Sequence, residues 1–136
     1  MESPERSLAT MLRLAAGRLA VAEAAAFRAQ GVTAAEALLL RELHAAGAVA
    51  PSVLADRMGM TRGAVTKLVD RLKAKQLLVR AKGRGDGRMQ TIALTGAGAR
   101  LVPELDALAA NLERAVFGRL DAAGRAGLVR ALTKIT

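Results

Sequence analysis

The stretch TRGAVTKLVDRLKAKQLLVRAKGRGDGRMQTIAL, residues 61–94, changes its period half-way. Its first part reads as a helix to about Lys75. Val65, Leu68, Val69 and Leu72 recur at i, i+3, i+4 and i+7, which makes one buried stripe. The opposite side carries Arg62, Gly63, Thr66, Lys67 and Arg71. Thr61 has the hydroxyl of an N-cap. From Leu77 the helical period stops. Leu77–Arg80 reads as a strand, Gln90–Leu94 alternates polar and apolar residues, and the loop between them, residues 82–88, is basic and rich in glycine. Two short strands around such a loop make a hairpin with a protruding tip.

The charge of the chain is concentrated in the same place. Arg57 to Arg88 hold ten basic residues against Asp70 and Asp86, a net +8, while the whole chain carries +9. The rest is nearly neutral. A neutral body with one basic segment suggests a surface built to meet a polyanion.

Working outward, Leu8, Met11, Leu12, Ala15, Leu19, Ala22 and Ala26 predict a first helix from Ser7 to Ala29, ended by Gly31. Thr33 and Glu36 form an S/T-x-x-E capping box for a second helix, whose apolar face is Leu39, Leu40 and Leu43. Ala48–Val49 reads as a very short strand. Pro51 opens a short helix that ends at Gly59. Beyond the hairpin, Thr95 caps a long region in which Leu101, Leu105, Leu108, Leu112, Val116 and Leu120 keep helical spacing, with Pro103 as a source of kinking. Gly118 and Asp121 mark a break and a fresh cap before a last helix to Ile135. The fold class is thus mainly α with a small β-hairpin wing: a winged helix-turn-helix flanked by N- and C-terminal helices.

Composition excludes several functions. With no cysteine there are no disulfides and no thiolate metal sites. The lone His44 is best read as a helix-end residue. Two aromatic residues, Phe27 and Phe117, are too few for single-strand binding by base stacking. No segment approaches the roughly 20 apolar residues of a membrane span, and no signal-peptide pattern opens the chain. The expectation is a cytoplasmic protein without membrane contact. Three serines, one histidine and no metal-ligand spacing argue against an enzyme, and no cofactor is expected. Gly83, Gly85 and Gly87 lead into a strand rather than a helix, so they serve a turn and not a phosphate cradle. Glu104/Asp106 and Glu2/Glu5 read as solvated helix ends rather than acid–base pairs.

Two helices joined by a tight turn and followed by a basic hairpin suit duplex DNA. A helix fits the major groove, where each base pair shows a distinct donor and acceptor pattern. Arg62, Thr66 and Lys67 are the expected base readers. Arg57, Arg71, Lys73 and Arg84 are the expected phosphate contacts. An arginine on a thin tip, Arg88 or Arg84, can enter the minor groove. The competing reading is a winged-helix protein-interaction module without specific DNA binding.

With these residues in place, the chain resembles the MarR family of transcriptional regulators, closely over about Val32 to Gly98. The resemblance rests on Leu54-Ala55-Asp56-Arg57-Met58-Gly59, Val65-Thr66-Lys67-Leu68-Val69-Asp70-Arg71-Leu72, Leu77-Leu78-Val79-Arg80, Asp86-Gly87-Arg88 and Leu94-Thr95-Gly96-Ala97-Gly98. It implies a homodimer on a pseudopalindromic operator, more often a repressor than an activator, that releases DNA when a small-molecule effector binds between the domains. It assigns 1–30 to an N-terminal dimerisation helix, 31–95 to the DNA-binding unit and 96–136 to C-terminal dimerisation helices. It matches Arg88 to the wing arginine of the minor groove, Asp86 to the carboxylate that orients it, and Thr66 and Lys67 to positions that contact bases or phosphates. With Thr61 and Gly63 at the start of the reading helix, the expected DNA-binding set is complete. Two positions depart from the family pattern. Gly87 stands where a second wing arginine is common, and Ala50 replaces the usual capping Ser or Thr before Pro51. The missing cysteine also removes the family's thiol-oxidation switch.

Overall fold

The computed structural model describes residues 5–82 and 90–136. The elements run α1 (Leu8–Arg28), α2 (Ala34–Ala46), α3 (Pro51–Met58), α4 (Arg62–Ala74), β1 (Leu78–Lys82), β2 (Gln90–Leu94), α5 (Gly96–Phe117) and α6 (Ala122–Ile135). The strands pair antiparallel, Leu78 opposite Leu94 and Lys82 opposite Gln90. Val49 adds a one-residue bridge. Its N–H donates to the Ile92 carbonyl at 3.1 Å and its carbonyl accepts from Ile92 N–H at 2.7 Å. The expected short strand at Ala48–Val49 is therefore a single bridge that ties the α2–α3 connection to the hairpin. The architecture is mainly α with one hairpin, a winged helix-turn-helix whose loop, residues 83–89, lies outside the described residues.

The caps explain where helices begin. Thr33 and Glu36 form both halves of the capping box. Thr61, Thr95 and Asp121 each accept from a backbone N–H three residues on. Ala50 gives α3 no side-chain cap, and Pro51 occupies the first turn, where its missing N–H costs nothing. Gly59 ends α3 at φ 63°, in the left-handed region that makes the sharp turn into α4.

Val65, Leu68, Val69 and Leu72 are buried, as the period requires. They join Leu39, Leu40, Leu43, Leu54, Leu78 and Ile92 in one core. In α5 the deepest contacts come from Val102 and Leu105, whereas Leu101 is only partly buried. Pro103 does not end this helix; α5 passes through it, with the proline on the exposed side.

The end of α4 is stapled to the start of α5. Gln76 N–H donates to the Lys73 carbonyl at 2.9 Å and Leu77 N–H to the Leu72 carbonyl at 3.0 Å, a Schellman ending. It needs a left-handed residue, and Gln76 takes that role at φ 61°. Thr95 Oγ1 donates to the Gln76 carbonyl at 2.7 Å and accepts from Gly98 N–H at 3.1 Å. Helix α5 thus presses on the Leu77 carbonyl, and a Cβ at Gly98 would stand 2.0 Å from that oxygen. Backbone cannot give way here as a side chain could. Gly98→Ala is therefore expected to lose about 3 kcal/mol or more of stability in urea denaturation.

Candidate nucleic-acid interface

The buried stripe of α4 fixes which side of that helix faces out. Arg62, Gly63, Thr66, Lys67, Arg71 and Lys73 are all exposed along it, and Thr61 is exposed in the turn before it. Arg57 is exposed on α3. These expected DNA contacts fall on one helix-turn-helix. Arg84, Asp86 and Arg88 lie outside the described residues.

Two of the hydroxyls have local duties. Thr61 Oγ1 accepts from Ala64 N–H at 3.1 Å, capping α4. Thr66 Oγ1 donates to the Arg62 carbonyl at 2.9 Å, so its proton is spent and its lone pairs remain for a partner.

The basic residues divide into two groups. Arg57 Nε donates to Glu42 Oε2 at 2.8 Å, Arg80 pairs with Asp70 at 2.8 Å, and Lys75 pairs with Glu36 at 2.8 Å. Among the described residues, Arg62, Lys67, Arg71 and Lys73 have no carboxylate at ion-pair distance. The positive charge available on α4 is therefore carried by these four. The expected phosphate contact Arg57 is drawn toward α2, and its other guanidinium nitrogens are the ones left to meet a phosphate.

Sequence reasoning missed the second duty of Glu36. Its side chain is 1% exposed and meets two partners. Oε1 accepts from Thr33 N–H at 3.2 Å and from Lys75 Nζ at 3.1 Å, and Oε2 accepts from Lys75 Nζ at 2.8 Å. Burial pushes this carboxyl up, but the bonds from Lys75 and Thr33, with the ammonium charge, outweigh it and hold the group below its ordinary value. The only local hint was that the capping glutamate sits on the buried side of α2. Asp106 is corrected in the same way. It lies mid-way along α5, not at a solvated end, and accepts from Arg41 Nε of α2 at 2.6 Å.

Between α1 and α2 lies a cavity of about 170 Å³ lined by Glu23, Phe27, Ala34, Ala35, Leu38 and Arg41. Burial raises the Glu23 carboxyl above its ordinary value, with Arg41 opposing. His44 is exposed in the last turn of α2 and lines no part of it. Among the described residues no group of His, Asp and Glu could hold a metal ion, and no helix is long and apolar enough to cross a membrane.

Residues 30–89 match the MarR family, a span that holds α2, the helix-turn-helix and β1. This segment is similar to the MarR family. Over 69 residues it is 38% identical to the HTH-type transcriptional repressor MdtR of Bacillus subtilis (strain 168), covering 51% of this chain and 44% of that one. It therefore spans less than half of this curated relative in the matched region. The fold is shared along the whole chain. BpsR of Bordetella bronchiseptica, whose DNA binding is regulated by 6-hydroxynicotinic acid, superposes with a TM-score of 0.88 at 26% identity, over 100% of this chain and 98% of BpsR. MepR of S. aureus, solved as a DNA complex, shares the fold with a TM-score of 0.87 at 21% identity, over 96% and 97% of the two chains.

The Glu36 pair sets an acid limit on this MarR fold. A carboxyl held below its unfolded value stabilises the fold above that value, and the contribution drains away as pH falls through the folded value. The groups facing it are Lys75 and Thr33. From about pH 6 to about pH 3, wild-type urea stability is expected to fall more steeply than that of Glu36→Gln, which has no proton to take up at this site.

Proposed function

We propose that this chain is a homodimeric transcriptional regulator that binds a pseudopalindromic duplex and acts as a ligand-responsive repressor. The observation that carries the reading is α4. One face is locked into the core, and the other presents Arg62, Lys67, Arg71 and Lys73 with no acidic partner among the described residues. Arg62, Thr66 and Lys67, near the helix start, would read bases, and Gly63 beside them would let the duplex approach the backbone. Arg57, Thr61, Arg71 and Lys73 would hold phosphates. The resemblance adds Arg84, Asp86 and Arg88 from the wing. MdtR is a repressor, BpsR answers to a small nitrogen heterocycle and MepR binds DNA, which supports the same activity here. The α1–α2 cavity is the candidate effector site. The protein acts in this reading by binding, without a catalytic step, in the cytoplasm where its DNA is.

Dimerisation helices at 1–30 and 96–136 account for an otherwise unexplained exposure. On α1, Leu8, Met11, Leu12 and Val21 face out, and α6 buries no residue at all, leaving Leu128, Val129 and Ile135 exposed. A second copy covers such faces by symmetry.

Selection from a random duplex pool at physiological salt is expected to enrich an inverted repeat with half-sites about one helical turn apart. Arg62→Ala or Arg88→Ala is expected to weaken that site by about 1–3 kcal/mol, and Lys73→Ala to lower the salt slope by about one unit without changing the motif. Retention without an enriched motif overturns the regulator reading.

Val129→Asp lies on an exposed face, so the protomer is expected to keep its fold while sedimentation shows a shift to monomer. Affinity for the inverted repeat is then expected to drop by about 100-fold or more, because the second half-site no longer binds intramolecularly. An intact dimer would remove α6 from the interface.

A further inference from the structure

We infer that Lys75 is a positioning residue: through Glu36 it fixes the far end of the reading helix to the α1–α2 junction and thereby sets the spacing of the two reading helices. This rests on the regulator reading above. An ammonium has three donors. All three of Lys75's are placed, on Glu36 Oε1, on Glu36 Oε2 and on the Gly31 carbonyl at 2.9 Å. No donor is left for a phosphate, and the buried carboxylate cancels the charge. Lys75 is therefore basic, adjacent to the reader and unavailable to DNA.

What it holds is the junction between reader and scaffold. Gly31 lies in the turn between α1 and α2, at φ 76°, and Glu36 sits in the first turn of α2. Lys75 is the C-cap of α4. One side chain thus joins the end of α1, the start of α2 and the end of α4. The following residue is held from the other side, where Thr95 Oγ1 binds the Gln76 carbonyl. The tilt of α4 relative to α1 and α5 is set at these two residues. In the dimer those two helices carry the interface, so a change of tilt alters the distance between half-site readers. Phe27, Ala34 and Ala35, which line the α1–α2 cavity, flank Gly31 in sequence. A molecule that enlarges the cavity acts on the clamp.

The test uses the full chain carrying Glu36→Gln with Lys75→Leu. The amide keeps an acceptor for Thr33 N–H, and no buried charge is left alone. Nonspecific duplex affinity and its salt slope are expected to stay at wild-type values. The ratio of specific to nonspecific affinity is expected to fall at least tenfold, with a broader tolerance of half-site spacing in the selected pool. A salt slope lower by about one unit would make Lys75 a phosphate contact and overturn the inference. So would an unchanged ratio and spacing. Should the double variant not fold, Glu36→Gln alone is expected to show the same loss of ratio, about threefold, and no loss overturns the inference. If the wild type enriches no motif, the regulator reading fails by itself. The clamp is then judged by hydrogen exchange at Lys75, Gln76 and Leu77 at matched global stability, where at least tenfold faster exchange in the variant is expected and equal protection overturns it.

Discussion

The structure depends on how helix α4 is held. A reading helix has to be rigid on one side and charged on the other, and the two demands conflict, because cations near an apolar core are costly. The chain resolves this by strict segregation. Val65, Leu68, Val69 and Leu72 take the core side, and Arg62, Lys67, Arg71 and Lys73 take the solvent side. The stripe alone would still let the helix slide or tilt on its neighbours, since apolar packing is not directional. Direction comes from the ends: the Gly59 turn and Thr61 cap at the start, and the Lys75–Glu36 pair with the Gln76–Thr95 bond at the finish.

The charges follow the same division of labour. Arg57, Lys75 and Arg80 are each met by a carboxylate of the winged unit itself, from α2 in two cases and α4 in the third. Two of these pairs are largely exposed and contribute little stability. Their effect is on the field, because each removes a positive charge from the set that can meet a polyanion. Asp70 shows why this matters. It lies on the exposed side of α4 among the free cations, where a bare carboxylate would repel phosphate. Its pairing with Arg80 from β1 neutralises it. Among the basic residues from Arg57 to Arg80, those left unpaired lie on the outward face of α4.

Much of this was legible from the residues. The α4 stripe, the Thr33–Glu36 box and the caps at Thr61, Thr95 and Asp121 are local patterns, fixed by spacings of three and four residues. The hairpin is signalled by the change of period at Leu77, whereas its register and the bridge from Val49 to Ile92 are not. What the residues hid are relations across distance. Lys75 reads as one more cation of the basic segment, because its partner Glu36 lies 39 residues away and already has a visible role as a cap. Arg57 reads as a free cation for the same reason. Gln76 gives no sign of its positive φ, since glycine is the usual signal; here the bonds from Gln76 and Leu77 back to α4 impose it. The inward turn of Val102 in place of Leu101 depends on how α5 leans on α2, which no single-helix pattern contains.

The flanking helices complete the physical argument. Helix α6 has no fully buried residue, and Leu8 of α1 is 89% exposed. A 14-residue helix with no fully buried residue is marginal in water by propensity alone. In the proposed dimer the surface that covers it is the second copy. The same contact that stabilises α6 then determines where the second α4 lies. Stability of the termini and spacing of the reading helices become one property rather than two. In the proposed regulator the clamp at Lys75 and Glu36 is the joint through which that property reaches the outward face of α4, because it connects α4 to the turn that ends α1. In the proposed regulator, a small displacement at the α1–α2 turn reaches α4 without unfolding any helix and without touching a proposed DNA contact.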